Sequence, residues 1–150
     1  MSDSTWTISR VASETELREA WAILGQAYEP PVWKRMSDYD AYVAKVAKHA
    51  TTLLISSENR IAGGISFYAN DTASGKGFIT QVMVSPLFQG QGLGTRLLKQ
   101  CEVECKAHGM KALGLEVRRD NLRAKKLYEH VGFKICGETK GGWLMEKPLF

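Results

Sequence analysis

No apolar run in this chain approaches the about 18 residues that a membrane-spanning helix needs, so no such span is predicted. Cysteine is scarce, and the three thiols cannot all pair with one another. The opening Met1-Ser2-Asp3-Ser4-Thr5 has neither the basic start nor the apolar stretch of an export signal. Together these absences predict a cytoplasmic protein whose cysteines stay reduced. Internal repeats, low-complexity tracts and interdomain linkers are missing too, so residues 1–150 are expected to form one domain.

What is present is unevenly distributed. Residues 1–40 carry seven acids and four bases, a net of −3, whereas residues 41–150 carry nine acids and sixteen bases, a net of +7. A basic C-terminal part suits an anionic ligand, either a phosphorylated cofactor or nucleic acid. A merely solvated basic face accounts for the same charge. Since no nucleic-acid recognition motif accompanies it, nucleic acid is not an expected partner.

Periodicity outlines the elements. Thr5–Val11 reads as a short strand. Ser13-Glu14-Thr15-Glu16 is a capping box that starts a helix. Leu17, Ala20, Trp21, Leu24 and Tyr28 recur along that helix at helical spacing, and Pro30-Pro31 ends it. A second helix is predicted from near Ser37. Thr51–Ser57 and Arg60–Tyr68 flank a Glu58-Asn59 turn as a hairpin. The loop Asn70–Gly77 then leads into a strand over Phe78–Ser85. Gly92–His108 reads as a helix, Lys111–Arg118 as a strand and Asp120–Val131 as a helix stopped by Gly132. Phe133–Thr139 and Trp143–Lys147 close the chain as strands. The expected fold is mixed α/β (α+β), with about seven strands and about four helices.

One segment is sharper than the rest. In Val82-Met83-Val84-Ser85-Pro86-Leu87-Phe88-Gln89-Gly90-Gln91-Gly92-Leu93-Gly94-Thr95 a strand ends, a glycine-rich turn follows and a helix begins. The first amides of a helix lack intrahelical partners and carry the positive end of its dipole. Glycines there admit an anion to the backbone, so the turn can hold a pyrophosphate. A nucleoside-triphosphate loop would need Gly-Lys-Ser/Thr, but Thr95-Arg96 follows Gly94. A dinucleotide fingerprint would need glycine at 95, where threonine stands.

The spacing that fits is Gln89-x-x-Gly92-x-Gly94. It resembles the acetyl-coenzyme A signature of the GNAT superfamily of N-acetyltransferases. A second block strengthens the resemblance: Asn121, Ala124, Leu127, Tyr128, Gly132 and Phe133 match the family's Asn-x-x-Ala-x-x-Leu-Tyr-x-x-x-Gly-Phe pattern. The similarity is close over residues 78–133, looser over 134–150, and over 1–70 rests on element order alone. It implies a largely antiparallel central sheet whose fourth and fifth strands splay apart. It also implies acetyl-CoA as cosubstrate without a metal, and direct transfer to a primary amine, either a small molecule or a peptide N-terminus. A CoA-binding regulator of the same fold is the alternative, and a homodimer is left open.

The resemblance also implies roles. The backbone of Val82, Met83 and Val84 would pair with the pantetheine arm, and an amide there would meet the thioester carbonyl. Gln89, Gly90, Gln91, Gly92, Leu93, Gly94 and Thr95 would hold the pyrophosphate. Arg96, Lys125 and Lys126 are surface cations that could add charge at the nucleotide end. Asn121 and Ala124 would contact the cofactor arm, and Asn121 also reads as a helix cap. Periodicity alone makes Tyr128 a core aromatic, whereas the match to Leu127-Tyr128 implies a general acid for the departing thiolate. Glu116 shares a strand face with Gly114, opposite Leu113, Leu115 and Val117. The resemblance of Leu-Glu-Val-Arg to the branch that acetylates protein N-termini makes Glu116 a candidate base, and a solvated glutamate is the plainer reading. The histone-acetylating branch places its glutamate where Phe78 stands here.

Other features are read as structural. Cys101 and Cys105 continue the apolar stripe of Leu93, Leu97 and Leu98, so with His108 they are expected to line a core and not a metal. Cys136 has no visible base and is not expected to carry an acyl group. Tyr28, Glu29, Trp33 and Tyr39, with the acids around them, are candidates for the acceptor side of the site.

Overall fold

The computed structural model describes residues 5–26, 32–34 and 36–150. Tyr28, Glu29, Pro30 and Pro31 therefore lie outside the described residues. Among the described residues seven strands form one sheet: β1 (Thr7–Arg10), β2 (Thr51–Ser57), β3 (Arg60–Tyr68), β4 (Lys76–Val84), β5 (Ala112–Arg118), β6 (Lys134–Glu138) and β7 (Gly142–Pro148). Four helices accompany them: α1 (Glu14–Gly25), α2 (Tyr39–His49), α3 (Leu93–Ala107) and α4 (Leu122–His130). No helix among the described residues is long and apolar enough to cross a membrane.

The helix starts are chemically determined. At α1 the Glu16 amide donates to Ser13 Oγ at 3.1 Å, the first half of the expected capping box, while Glu16 Oε2 accepts at 3.1 Å from the amide of Ala12, one residue before the cap. Asp38 caps α2 by accepting from the Ala41 amide at 3.0 Å, and Asn121 caps α4 by accepting from the Ala124 amide at 3.2 Å. Asp40 is held by Arg18 at 2.8 Å, and the same guanidinium takes Glu14 at 3.0 Å. Glu14, Glu16, Asp38 and Asp40 thus each take part in a local cap or ion pair.

Strand order is β1-β2-β3-β4-β5-β7-β6, and only the β4–β5 pairing is parallel. β7 enters between β5 and β6 because β6 turns back on it as a hairpin. Two cores lie on opposite faces. A Cβ added at Gly63 would meet Leu97 of α3, whereas one added at the next residue, Gly64, would meet Leu24 of α1. Under α1 and α2 pack Leu17, Trp21, Leu24, Val43, Val46 and Met83. Under α3 pack Leu97, Leu98, Cys101 and Cys105 with Ile55, Ile65, Phe67, Leu113 and Leu115. The cysteine stripe is therefore part of the larger core. β4 begins at Lys76, two residues before the expected Phe78, because Lys76 and Gly77 already pair with Ala112 and Leu113.

Candidate active site

The site grows from a failure of pairing. β4 and β5 run in register from Lys76–Ala112 to Ile79–Leu115, and there the ladder stops. Beyond that point β4 continues along β3 and β5 continues along β7, so the two strands diverge. A bulge in β4 at the same level adds a bend: Gln81 faces Ser66 and Ile79 faces Phe67, leaving Thr80 without an opposite residue. The expected splay between the fourth and fifth strands lies here.

A cleft of about 470 Å³ opens from the divergence, lined by the end of β4, the turn after it, the start of α3 and one side of α4. From β4 come Val82 and Val84. Met83 points the other way, into the core under α1 and α2, as strand alternation requires, so its side chain is no part of the wall. After β4, Pro86–Phe88 makes a single 3₁₀ turn begun by Ser85, whose Oγ accepts from the Leu87 amide at 3.3 Å. Phe88 fixes this turn by meeting the edge of the Trp6 ring at 5.5 Å between centroids, with the Arg60 guanidinium 5.3 Å from its own centroid.

The glycine-rich turn completes that end of the cleft. Gln89, Gly90, Gly92, Leu93, Gly94 and Thr95 line it, while Gln91, although within the motif, stands exposed and off the wall. Gly90 and Gly92 have φ of 83° and 75°, and Gly92 caps α3 with no side chain bonded to the first amides. A Cβ added at either glycine would meet nothing within 4 Å. Open space in front of uncapped helix amides fits a diphosphate. Gly94 serves a different purpose, since an added Cβ would stand 3.0 Å from Leu127 Cδ2 and push α4 away from α3.

From α4 come Asn121, Arg123, Ala124, Leu127 and Tyr128. Tyr128 is 8 % exposed, its ring edge-on to Phe133 at 6.0 Å. The core-aromatic reading is therefore correct as far as burial goes, yet the same residue borders the cleft. Arg123 donates to Gln89 Oε1 and ties the cradle to α4. Of the expected cations, Arg96, Lys125 and Lys126 are not among the lining residues; Arg123 is. Neither that bond nor the lining roles of Pro86, Phe88 and Arg123 was visible in the motifs, because a contact across 34 positions leaves no local pattern.

A smaller cleft of about 130 Å³ adjoins the first, lined by Thr80, Gln81 and Val82 of β4, Glu116 and Arg118 of β5, Asn121 and Tyr128. Val82, Asn121 and Tyr128 border both spaces. Along β5 Leu113, Leu115 and Val117 are buried and Glu116 is exposed, matching the alternation read from the sequence. Of the two candidate acid–base residues, Glu116 thus lines the smaller cleft and Tyr128 lines both.

This geometry coincides with a family match: the model of the acetyltransferase (GNAT) family covers residues 15–133. The chain belongs to that family. As a GNAT protein it is an acetyl-CoA-dependent N-acetyltransferase. Among its relatives, a ribosomal protein bS18 alanine N-acetyltransferase of Salmonella typhimurium is 31 % identical over 127 residues, 85 % of this chain and 80 % of the relative. An IAA acetyltransferase of Azospirillum brasilense is 28 % identical over 148 residues, 93 % of this chain and 97 % of that one. Among solved structures, the ribosomal protein S18 alanine N-acetyltransferase of Escherichia coli superposes with a TM-score of 0.78 at 24 % identity, over 96 % of this chain and 94 % of that one. A GNAT acetyltransferase of Elizabethkingia anophelis with acetyl-CoA bound gives 0.76 at 19 % identity, covering 98 % and 99 %.

Proposed function

We propose that this acetyltransferase moves the acetyl group directly from acetyl-CoA to a primary amine, with a peptide N-terminus as the leading acceptor class. The observation that carries the reading is the meeting of the two clefts at Val82, Asn121 and Tyr128. The larger cleft suits a long anionic arm, the smaller one an amine, and the reacting atoms would meet where they join. Support for the peptide class comes from the bS18 alanine N-acetyltransferase relatives.

In this reading the first amides of α3 hold the pyrophosphate between Gln89 and Thr95, and the β4 backbone around Val82 and Val84 pairs with the pantetheine arm. A primary ammonium has a pKa near ~10 and is charged at neutral pH, so a proton must leave before nitrogen can attack. Glu116 accepts that proton, directly or through water, from the side of the smaller cleft. As the C–N bond forms and the C–S bond breaks, Tyr128 delivers a proton to the departing sulfur, and the nitrogen sheds its second proton to water to leave the neutral amide. A phenol near ~10 is a weaker acid than a thiol near ~8.5, so it rests protonated at neutral pH and the phenolate left by the transfer is reprotonated from solvent. Asn121 keeps α4, and with it Tyr128, at the junction by capping the helix.

The test is free-thiol release from acetyl-CoA with alanine-initiated peptides and a panel of small amines. Tyr128→Phe should lower kcat by about a hundredfold while CoA affinity stays within a factor of about two. Glu116→Gln should lower kcat/KM for the acceptor, most strongly below the acceptor's own pKa. Unchanged turnover in Tyr128→Phe removes the acid assignment.

A further inference from the structure

Thr80 is the residue where the sheet gives up two ladders at once. Toward β5 the last register pair is Ile79–Leu115. Toward β3 the register skips from Gln81–Ser66 to Ile79–Phe67. A strand carbonyl that loses its ladder partner inside a fold must find another, or the bend costs the desolvation of an unpaired group. α2 supplies the partner. Tyr42 Oη lies 3.2 Å from the Thr80 carbonyl oxygen and 2.6 Å from Thr80 Oγ1. One arrangement satisfies every group: the threonine hydroxyl donates to the tyrosine oxygen, and the tyrosine hydroxyl donates to the carbonyl. The Tyr42 ring is itself fixed, stacked on Trp21 at 5.5 Å and 24°. Burial raises the Tyr42 pKa, against an opposing pull from the Thr80 and Gln81 hydrogen bonds, so the hydroxyl keeps the proton it donates.

We propose that Tyr42 is a positioning residue for acetyl transfer: by holding the Thr80 carbonyl it fixes the bend of β4, and so sets where the Val82 backbone stands at the junction of the two clefts. The peptide that follows Thr80 is planar, so a carbonyl held toward α2 also fixes the plane from which Gln81 and Val82 continue. Both of these residues, with Thr80, line the smaller cleft, and Val82 lines both. Tyr42 lines neither and acts only through β4. The inference rests on the proposed placement of the thioester beside β4, and it does not depend on which residues serve as acid and base.

The experiment reads the thioester without turnover. Acetyl-CoA carrying ¹³C at the carbonyl is bound to the protein, and its isotope-edited infrared band is compared with the band in solution. In the wild type a donor from β4 should move the band to lower wavenumber. In Tyr42→Phe, which keeps the stack on Trp21, the band should return toward its solution position. CoA affinity should stay within about twofold while kcat with the best acceptor of the panel falls about ten- to a hundredfold, the scale of a misplacement near 1 Å. A Tyr42→Phe protein that melts lower but keeps the wild-type band and kcat would make the role purely structural and overturn the proposal. So would a wild-type band at the solution position. Failure of the acid assignment is separately visible, because it would appear as unchanged turnover in Tyr128→Phe and does not involve the band.

Discussion

Gly92→Ala and Gly109→Ala form a matched pair that isolates the cradle from its backbone. Both glycines have left-handed φ, 75° and 82°, and at both an added Cβ would find nothing within 4 Å. They flank the same helix, α3, at opposite ends. Its 15 residues separate them by about 22 Å at the usual rise. Alanine in this conformation costs about 1–2 kcal/mol at either site, which lowers the melting temperature by about 2–8 °C for a chain of this size. The stability penalties should therefore be alike. Ligand affinity should not. The Gly92 methyl projects from the lining of the larger cleft, against the amides that would hold the diphosphate. Losing one hydrogen bond to a charged group costs about 1.5–3 kcal/mol, or a Kd for CoA weaker by about 10- to 150-fold. Thermal melts and calorimetric titration with CoA measure the two effects separately. If Gly92→Ala binds CoA as tightly as Gly109→Ala, the pyrophosphate is not held at the start of α3, and the placement of the cofactor falls with it.

Two further substitutions probe the frame. Arg123→Ala releases Gln89 from α4 and removes a cation from the cleft; it should cost less than about 1 kcal/mol of stability, yet weaken CoA binding about three- to tenfold at low salt, with the difference shrinking as salt is raised. Titration at two ionic strengths checks it. Gly142→Ala places a Cβ 1.9 Å from the Val117 carbonyl oxygen, an overlap that only backbone movement relieves; it should cost about 3 kcal/mol and lower the melting temperature by about 6–12 °C, as read by calorimetry.

Much of this was legible in the sequence because the determining signals are local. The capping box at Ser13, the hairpin around Glu58-Asn59, the apolar stripe of α3 and the Asn121 cap each depend on residues within four positions of one another. The splay was legible only through resemblance, since ladder termination at Ile79–Leu115 depends on two strands separated by a helix. Arg123 was overlooked in favour of Lys125 and Lys126 for a related reason. All three sit on one short helix, and only the direction of the helix shows which of them meets Gln89; Lys125 turns instead to Glu129 at 3.3 Å. The charge balance of the first forty residues carries no such detail. A sum over residues does not show that Asp38 caps α2 or that Glu14 and Asp40 share Arg18.

That last point bears on how a cationic acceptor would be drawn in. Glu14, Glu16, Asp38 and Asp40 take part in caps and ion pairs of their own helices, and none of them lines the smaller cleft. Among the residues lining the smaller cleft, Glu116 is the one carboxylate, and Arg118 stands two positions further along the same strand face, paired with Asp120 at 3.0 Å. A carboxylate that both attracts the ammonium and takes its proton would serve binding and chemistry in turn. Its removal should then raise the acceptor KM as well as lower kcat, whereas a base acting only through water would leave KM nearly unchanged. The Glu116→Gln kinetics proposed above therefore distinguish two ways of using one residue, and a change confined to kcat would assign the recognition of the amine to other groups.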